Sequence, residues 1–143
     1  MNPINDNIND FLNENQVSSV CFIDKENKPH CINCFYAWHN EDAILIFKSS
    51  FGTNHDSLIK QGEQIAGTVV NDQINLSKIK GIQFNGELID QNQINELGIA
   101  NQYLKKFPLS IAMPGYLWGV KLNLIKFTDN TFVFGNKTNW SRN

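Results

Sequence analysis

The densest group of chemically useful side chains lies in the segment KSSFGTNH, between Lys48 and His55. Its polar side chains are those of Lys48, Ser49, Ser50, Thr53, Asn54 and His55. A short helix is predicted to follow over Asn54–Gln61, and a helix N-terminus can hold an anion through its unpaired N–H groups and dipole. The segment therefore predicts a phosphate site. In the alternative interpretation, Thr53 or Asn54 only caps the helix, His55 lies exposed on its first turn, and the serines form the turn.

Three cysteines, Cys21, Cys31 and Cys34, are the other candidates for chemistry. An odd number argues against a disulfide framework. Cys31 and Cys34 have CxxC spacing, but they stand in a strand-like run, where positions three apart point to opposite faces of a sheet. No second Cys/His pair stands at zinc-finger spacing. We interpret these cysteines as small, half-buried thiols of a sheet and predict no metal site.

Length, charge and hydropathy limit the class of protein. The chain has 143 residues, of which 41% are hydrophobic, which suits one compact domain over residues 1–143. Twelve basic residues against 14 acidic ones give no electrostatic reason to expect nucleic acid or a membrane as partner. No apolar run approaches the roughly 20 residues that span a bilayer. The polar N-terminus does not resemble a secretory signal, so we expect a cytoplasmic protein.

The apolar pattern predicts many strands and few helices. Strands are predicted over the ranges Val17–Ile23, His30–Trp38, Asp42–Ser49, Gln64–Val70, Ile79–Asp90, Tyr116–Phe127 and Thr131–Phe134. Helical spacing predicts further helices over Ile4–Asn15 and Gln93–Phe107. Short turns join several neighbouring strands, so the sheet should be mainly antiparallel. We expect a mainly β protein with peripheral helices, whose sheet closes into a small barrel.

The order of the motifs resembles a known family. The chain contains SSxxTxH before a helix, then AGTV, IKGIQFNGEL, a helix ending in KFP, IKFTDN, and FGNK before Trp140. This order is similar to the pyridoxamine 5′-phosphate oxidase-related family of FMN-binding split barrels, and particularly to a small, uncharacterised bacterial branch. The likeness runs from about Asn15 to Trp140. It implies an antiparallel split β-barrel that forms a homodimer, with FMN bound at the subunit interface.

The resemblance implies a phosphate site with altered charge. It assigns the FMN phosphate to Ser49, Ser50, Thr53, Asn54 and His55. The family has an arginine and a lysine where this chain has Asn54 and His55. An amide cannot replace the bidentate guanidinium group. Histidine is charged only below its pKa, about 6.5 when unperturbed. We therefore expect weaker and more pH-dependent phosphate binding than in the oxidase.

The resemblance also places the strand His30–Tyr36 along the flavin ring. Within that strand Asn33 and Phe35 share one face, while Cys34 and Tyr36 take the other. A flavin needs flat apolar contact on one side and amide or backbone groups at its polar edge. Asn33 and Phe35 are therefore expected cofactor-binding residues, and an ordinary pair of strands is the alternative.

Three more positions complete the implied site. Thr68 lies in AGTV, which is expected beside the ring, with Gly67 leaving room for close approach. The family has a glutamine on the long strand that reaches FMN across the dimer, at a position that falls nearer Gly81 here. Gln83 lies two residues after Gly81 and on the same face of the strand, so it is the candidate for this role. Trp140 either covers the flavin or seals the barrel end or the subunit interface.

These expectations favour an FMN-dependent oxidoreductase that transfers hydride or electrons from NAD(P)H to an unidentified small acceptor. No general acid or base stands out, and no cluster of cations suits the phosphate of a vitamin B6 substrate. Two alternatives stay open. The barrel is a non-catalytic module for flavin or another flat ligand, or it binds haem, which would need an axial ligand such as His30 or His39.

Overall fold

Antiparallel strand pairs build the whole sheet. The computed structural model describes residues 1–49, 63–73, 75, 78–131 and 136–143. The strands are β1 (Val17–Ile23), β2 (Pro29–His39), β3 (Ile44–Ser49), β4 (Gln64–Val70), β5 (Lys80–Ile89), β6 (Tyr116–Asp129) and β7 (Asn136–Ser141). They are ordered β3-β2-β1-β4-β5-β6-β7, and β3 also pairs with β6. This pairing closes β1–β6 into a split β-barrel, as the sequence predicts.

The long strand β6 makes the closure. One of its edges pairs with β5 from Gly119 to Asp129, while the other pairs first with β3 and then with β7. The β5–β6 register shifts between Asn85 and Gly86, which marks a bulge of the kind that interior glycines predict. A side chain at Gly86 would collide with the carbonyl oxygen of Lys121, so only glycine fits this bend.

Helix α1 (Asp6–Glu14) packs on the barrel core. Asn5 caps it, because its side chain accepts a hydrogen bond of 2.8 Å from the Asn7 backbone N–H. The helix buries Ile8, Phe11 and Leu12, as the spacing predicts. The prediction of this helix is therefore confirmed, although the helix begins two residues later and ends one residue earlier than expected.

The single helix predicted over Gln93–Phe107 is wrong, because two helices occupy this part of the chain. Helix α2 (Gln91–Leu97) ends at Gly98, whose φ of 69° lies in the left-handed region that glycine adopts at helix ends. Helix α3 (Ala100–Lys106) then begins, and a 3₁₀ helix follows over Pro108–Ala112. None of the helices in the described ranges is long and apolar enough to cross a membrane.

The last strand also differs from the prediction. Thr131 lies in a bend, residues 132–135 lie outside the described ranges, and the strand that pairs with β6 is β7. The other predicted strands are confirmed, and β1 and β4 have the predicted bounds. The helix expected over Asn54–Gln61 lies outside the described residues.

Burial differs between the two sides of the barrel. Strand β3 is buried on both faces, since one face lines the barrel and Ile44 and Ile46 pack against α2 and α3. Strands β1, β4 and β5 instead alternate between buried and exposed positions over most of their length. Their outer face is therefore accessible in the described structure, and it continues onto the first half of β2.

Candidate functional site

A polar row crosses the accessible outer face of the barrel. Asn33 stands directly opposite Ser19, Ser19 opposite Thr68, and Thr68 opposite Gln83. The Ser19 hydroxyl donates a hydrogen bond of 2.7 Å to the Asn33 side-chain oxygen. With strands about 4.8 Å apart, these four residues span roughly 14 Å. The fold thus brings together three predicted cofactor-binding residues, Asn33, Thr68 and Gln83.

Two depressions lie along this row. The first has a volume of about 460 Å³ and is lined by Gln16, Val17, Ser19, Asn33, Phe35, Thr68, Val70, Asn71 and Asp72. The second has a volume of about 360 Å³ and is lined by Cys21, Ala66, Gly67, Thr68, Gln83, Phe84, Asn85, Leu124 and Lys126. Thr68 is common to both. Asp72 makes the first depression locally acidic, so an anion would not be favoured there.

A third, mainly apolar cavity lies between β2, the end of β3 and the chain that follows α3. Its volume is about 530 Å³, and its lining comprises Asn33, Cys34, Phe35, Lys48, Ser49, Tyr103, Lys106, Phe107, Pro108, Leu109, Ser110, Met113 and Pro114. Asn33 and Phe35 also line the first depression, so they form the ridge between the two. The cavity contains three predicted residues, Asn33, Phe35 and Ser49.

Phe35 forms the apolar side of the ridge. Its side chain is 55% exposed although it is large and aromatic. It packs against Phe107, with ring centroids 5.4 Å apart and planes inclined by 54°. The neighbouring positions Cys34 and Tyr36 point into the core, which confirms the predicted division of faces. Phe35 can therefore offer a flat contact to a ligand on the outer face.

Two lysines supply positive charge to the apolar cavity. The Lys48 ammonium group donates a hydrogen bond to the backbone carbonyl of Ser110. The Lys106 ammonium group donates to the Asn15 carbonyl at 2.7 Å and lies 4.6 Å from the centre of the Tyr36 ring. Burial lowers the pKa of Lys106 to about 8. The apolar cavity is thus more favourable for an anionic group than the first depression, which contains Asp72.

Ser110 adds a buried hydroxyl to the same cavity wall. The residue is 5% exposed, and its side-chain oxygen has no hydrogen-bond partner within the described part of the chain. A buried hydroxyl without a partner is costly, and a polar ligand group in the cavity would satisfy it.

Several predicted residues stand elsewhere. Ser50, Thr53, Asn54 and His55 lie outside the described residues, so the proposed phosphate turn stays a prediction. Trp140 is buried in the barrel core, where its indole N–H donates to the Asn2 carbonyl at 3.0 Å, and it lines none of the three cavities described above. This position agrees with the alternative in which Trp140 seals the barrel.

The interpretation of Gly67 needs correction. A side chain at this position would collide with the ring of Phe84 and the carbonyl oxygen of Ser19. The Cβ side of Gly67 is therefore filled by the Phe84 ring, and the close approach that requires glycine is internal, while Gly67 also lines the second depression.

Ser19, Lys106 and Ser110 were not predicted from the sequence, and Lys48 was predicted only as part of the phosphate segment. Ser19 could have been predicted, because pairing β1 with β2 across the Asp24–Pro29 turn places it opposite Asn33. Lys48, Lys106 and Ser110 come together only when β3 pairs with β6, because this pairing places the 3₁₀ helix over the end of β3. Among the described residues, no group of three His, Cys, Asp or Glu side chains is placed to hold a metal ion.

Sequence relatives identify the family of the chain. No protein-family model matches the chain. A UPF0306 protein from Photorhabdus laumondii is 33% identical over 135 residues, which cover 94% of each chain. The chain belongs to the UPF0306 family. Because the match runs over nearly the whole length of both proteins, the family extends across the barrel strands and the helices that border the apolar cavity.

Solved structures show which fold this UPF0306 chain shares. A heme binding protein from Mycobacterium smegmatis has a TM-score of 0.66 and 11% identity, over 90% of this chain and 53% of that one. A Clostridium acetobutylicum protein related to general stress protein 26, of the pyridoxinephosphate oxidase family, has a TM-score of 0.62 and 14% identity, over 95% and 92%. The UPF0306 protein therefore has the split-barrel fold of the oxidase-like proteins.

Proposed function

We propose that this UPF0306 chain is an FMN-binding flavoprotein that moves hydride or electrons from NAD(P)H to a small acceptor. The observation that carries the proposal is the ridge formed by Asn33 and Phe35, hereafter the Phe35 ridge. A row of hydroxyl and amide groups lies on one side of it, and the apolar cavity with its two lysines lies on the other. A flat ring with a polar edge and a charged tail is the kind of ligand that matches this combination.

The residues present fit the ring of FMN. Phe35 offers apolar contact, and Asn33, Thr68 and Gln83 offer hydrogen-bonding groups along one line of the sheet. The Ser19 hydroxyl binds the Asn33 oxygen, which directs the amide N–H groups of Asn33 to other acceptors. Bound FMN would supply the redox chemistry, and these side chains would supply orientation and polarity.

The cavity also offers a place for an anion. Lys48 and Lys106 bring two ammonium groups, and Ser110 brings a buried hydroxyl that lacks a partner in the described structure. They would hold either part of the cofactor or an acidic acceptor. The turn from Ser49 to His55 would hold the phosphate in the arrangement that the family resemblance implies.

A homodimer would complete the site. The 3₁₀ helix and its neighbours expose large apolar side chains beside the cavity, with Leu109 86% and Ile111 71% accessible. Met113 and Tyr116 extend this surface. Apolar side chains so exposed are typical of a surface that another molecule covers. We propose that a second copy of the chain packs here and closes the cavity.

Haem binding is the second candidate, because a protein of the same fold is a heme binding protein. The axial ligand is the difficulty. His39 is buried, and its two ring nitrogens lie 3.1 Å from a Gln102 oxygen and 2.9 Å from an Asp42 oxygen. His30 is hydrogen-bonded to Asp24 at 2.7 Å. Neither histidine lines the three cavities, so neither is placed as an axial ligand for haem bound in them.

Titration of FMN into the purified protein tests the proposal. Phe35→Ala should weaken FMN binding several-fold, since an aromatic contact is worth about 0.5–1.5 kcal/mol. Ile23→Ala is the matched control, because Ile23 is exposed on β1 and lines none of the described cavities. Equal affinities for the two variants would contradict the assignment of the ridge.

Anaerobic addition of NADH or NADPH then tests the oxidoreductase class. Loss of the flavin absorbance would support electron transfer from the nicotinamide. A retained flavin that neither nucleotide bleaches would instead favour the non-catalytic binding module.

A further inference from the structure

Two cysteines face each other on the accessible side of the barrel. Cys21 on β1 and Cys31 on β2 are direct partners in the antiparallel register. Their sulfur atoms lie 3.0 Å apart. Cys31 is exposed and Cys21 is half-buried, so a small reagent can reach the pair from solvent.

The register makes the pair suited to a covalent bond. The Tyr36 N–H donates to the Gln16 carbonyl, and the Asp24 N–H donates to the Lys28 carbonyl. Hydrogen-bonded and non-hydrogen-bonded pairs alternate along two antiparallel strands. Counted from these two hydrogen bonds, Cys21 and Cys31 form a non-hydrogen-bonded pair, and the Cα atoms of such a pair are about 4.5 Å apart. Disulfides accept Cα separations of about 4.4–6.8 Å. The two strands therefore need no large movement to be cross-linked.

The two sulfurs are not equivalent. The Cys21 thiol donates to the Cys31 sulfur, and this hydrogen bond is the main reason that the pKa of Cys21 rises to about 11. Cys31 is exposed and Cys21 is only half-exposed, so a small disulfide reaches the Cys31 sulfur first. The exposed Cys31 is thus the attacking sulfur and Cys21 the resolving one. Cys34 is buried on the other face of β2, where it cannot join either step.

We propose that Cys21 and Cys31 are a redox-active pair, which low-molecular-weight disulfides convert into a cross-strand disulfide. The Cys31 thiolate attacks one sulfur of glutathione disulfide, the S–S bond breaks, and one glutathione thiolate leaves. Cys21 then loses its proton to solvent and attacks the Cys31 sulfur, and the second glutathione thiolate leaves. Two electrons pass from the protein to the glutathione disulfide, which becomes two thiols.

The pair is placed to act on the candidate site. Cys21 and Cys31 lie two residues from Ser19 and Asn33 along their strands, and hence on the same face in the next row. Cys21 lines the depression that also contains Thr68 and Gln83. The redox chemistry of the thiols does not depend on FMN binding, so it is testable on the protein without cofactor.

To test this, the reduced protein is treated with glutathione disulfide and its remaining free thiols are alkylated. Mass spectrometry then gives the intact mass and identifies the linked peptides. The expected product has lost two hydrogen atoms and links the Cys21 and Cys31 peptides. Cys34→Ser should form the same product as the wild-type protein. Cys21→Ser should stop at a stable glutathione adduct on Cys31, since the resolving thiol is missing.

Three results would overturn the proposal. They are an unreactive wild-type protein, a wild-type protein that stops at the glutathione adduct, and a Cys34→Ser variant that no longer forms the link. Far-UV circular dichroism of each variant separates chemical effects from loss of the fold. Cys31→Ser removes the attacking thiol at an exposed position and should therefore form no link.

Discussion

The hydroxyl of Ser19 and the side-chain oxygen of Asn33 are joined by a 2.7 Å hydrogen bond across β1 and β2. The two residues are direct partners at a non-hydrogen-bonded position, where opposing side chains come closest. This bond holds the Asn33 oxygen and leaves its amide N–H groups as the donors for a ligand. The polar edge of the candidate site is therefore set by a residue that need not touch the ligand.

Ser19→Ala should lower FMN affinity about two- to ten-fold, because one hydrogen bond of about 0.5–1.5 kcal/mol no longer orients Asn33. The thermal midpoint should change little, since both side chains are at least partly accessible. Ser141→Ala, on β7, is a suitable control, as the Ser141 hydroxyl donates to the nearby Asn143 carbonyl at 2.9 Å. An unchanged affinity in Ser19→Ala would count against the orienting role.

FMN affinity should fall as pH rises from 7 to 9. Burial lowers the pKa of Lys106 to about 8, so its positive charge is present below that pH and is lost above it. The Asp72 carboxylate is the charged group that opposes this shift. In Lys106→Gln the decrease between pH 7 and 9 should disappear. A separate decrease near pH 6.5, abolished by His55→Gln, would report the predicted phosphate turn. Identical profiles for wild type and Lys106→Gln would contradict the first assignment.

Gly67→Ala should destabilise the protein by about 1–3 kcal/mol, because the new methyl group collides with the Phe84 ring and the Ser19 backbone. Gly81→Ala is the matched control, as its nearest neighbour would be the Val69 carbonyl oxygen at an ordinary 3.5 Å. Urea unfolding of the three proteins measures the difference. If both alanine variants lose the same stability, the loss reflects a general strand effect and not the contact with Phe84.

Leu109→Asp should convert a dimer into a monomer. Leu109 is 86% exposed beside the apolar cavity, and a carboxylate in a subunit interface would be buried without a partner. Leu97→Asp is the control, because Leu97 is also exposed but lies on α2. Light scattering at micromolar concentration distinguishes the two states. A wild-type monomer, or a Leu109→Asp dimer, would contradict the proposed interface.

Local patterns predict much of this fold. The bounds of β1 and β4 follow from alternation between clear turn segments, and the burial of the two strands agrees. The same period of two separates Asn33 and Phe35 from Cys34 and Tyr36. By contrast, the break between α2 and α3 depends on the left-handed conformation of Gly98, which the apolar spacing alone does not reveal.

Long-range pairing explains what the sequence could not predict. Lys48 and Ser110 are 62 residues apart, yet the closure of β3 onto β6 brings the ammonium group to the Ser110 carbonyl. No periodicity relates two such positions. The facing thiols of Cys21 and Cys31 could be inferred only once the hairpin register was fixed, because a shift of one residue would place them apart.

The absorbance spectrum of the purified protein, recorded again after incubation with FMN and desalting, is the decisive measurement of whether the Phe35 ridge binds FMN. We expect a flavin spectrum that survives desalting in the wild-type protein and is weakened in Phe35→Ala. A protein that retains no flavin, or one that shows a haem spectrum in its place, would contradict the proposal that the Phe35 ridge binds FMN.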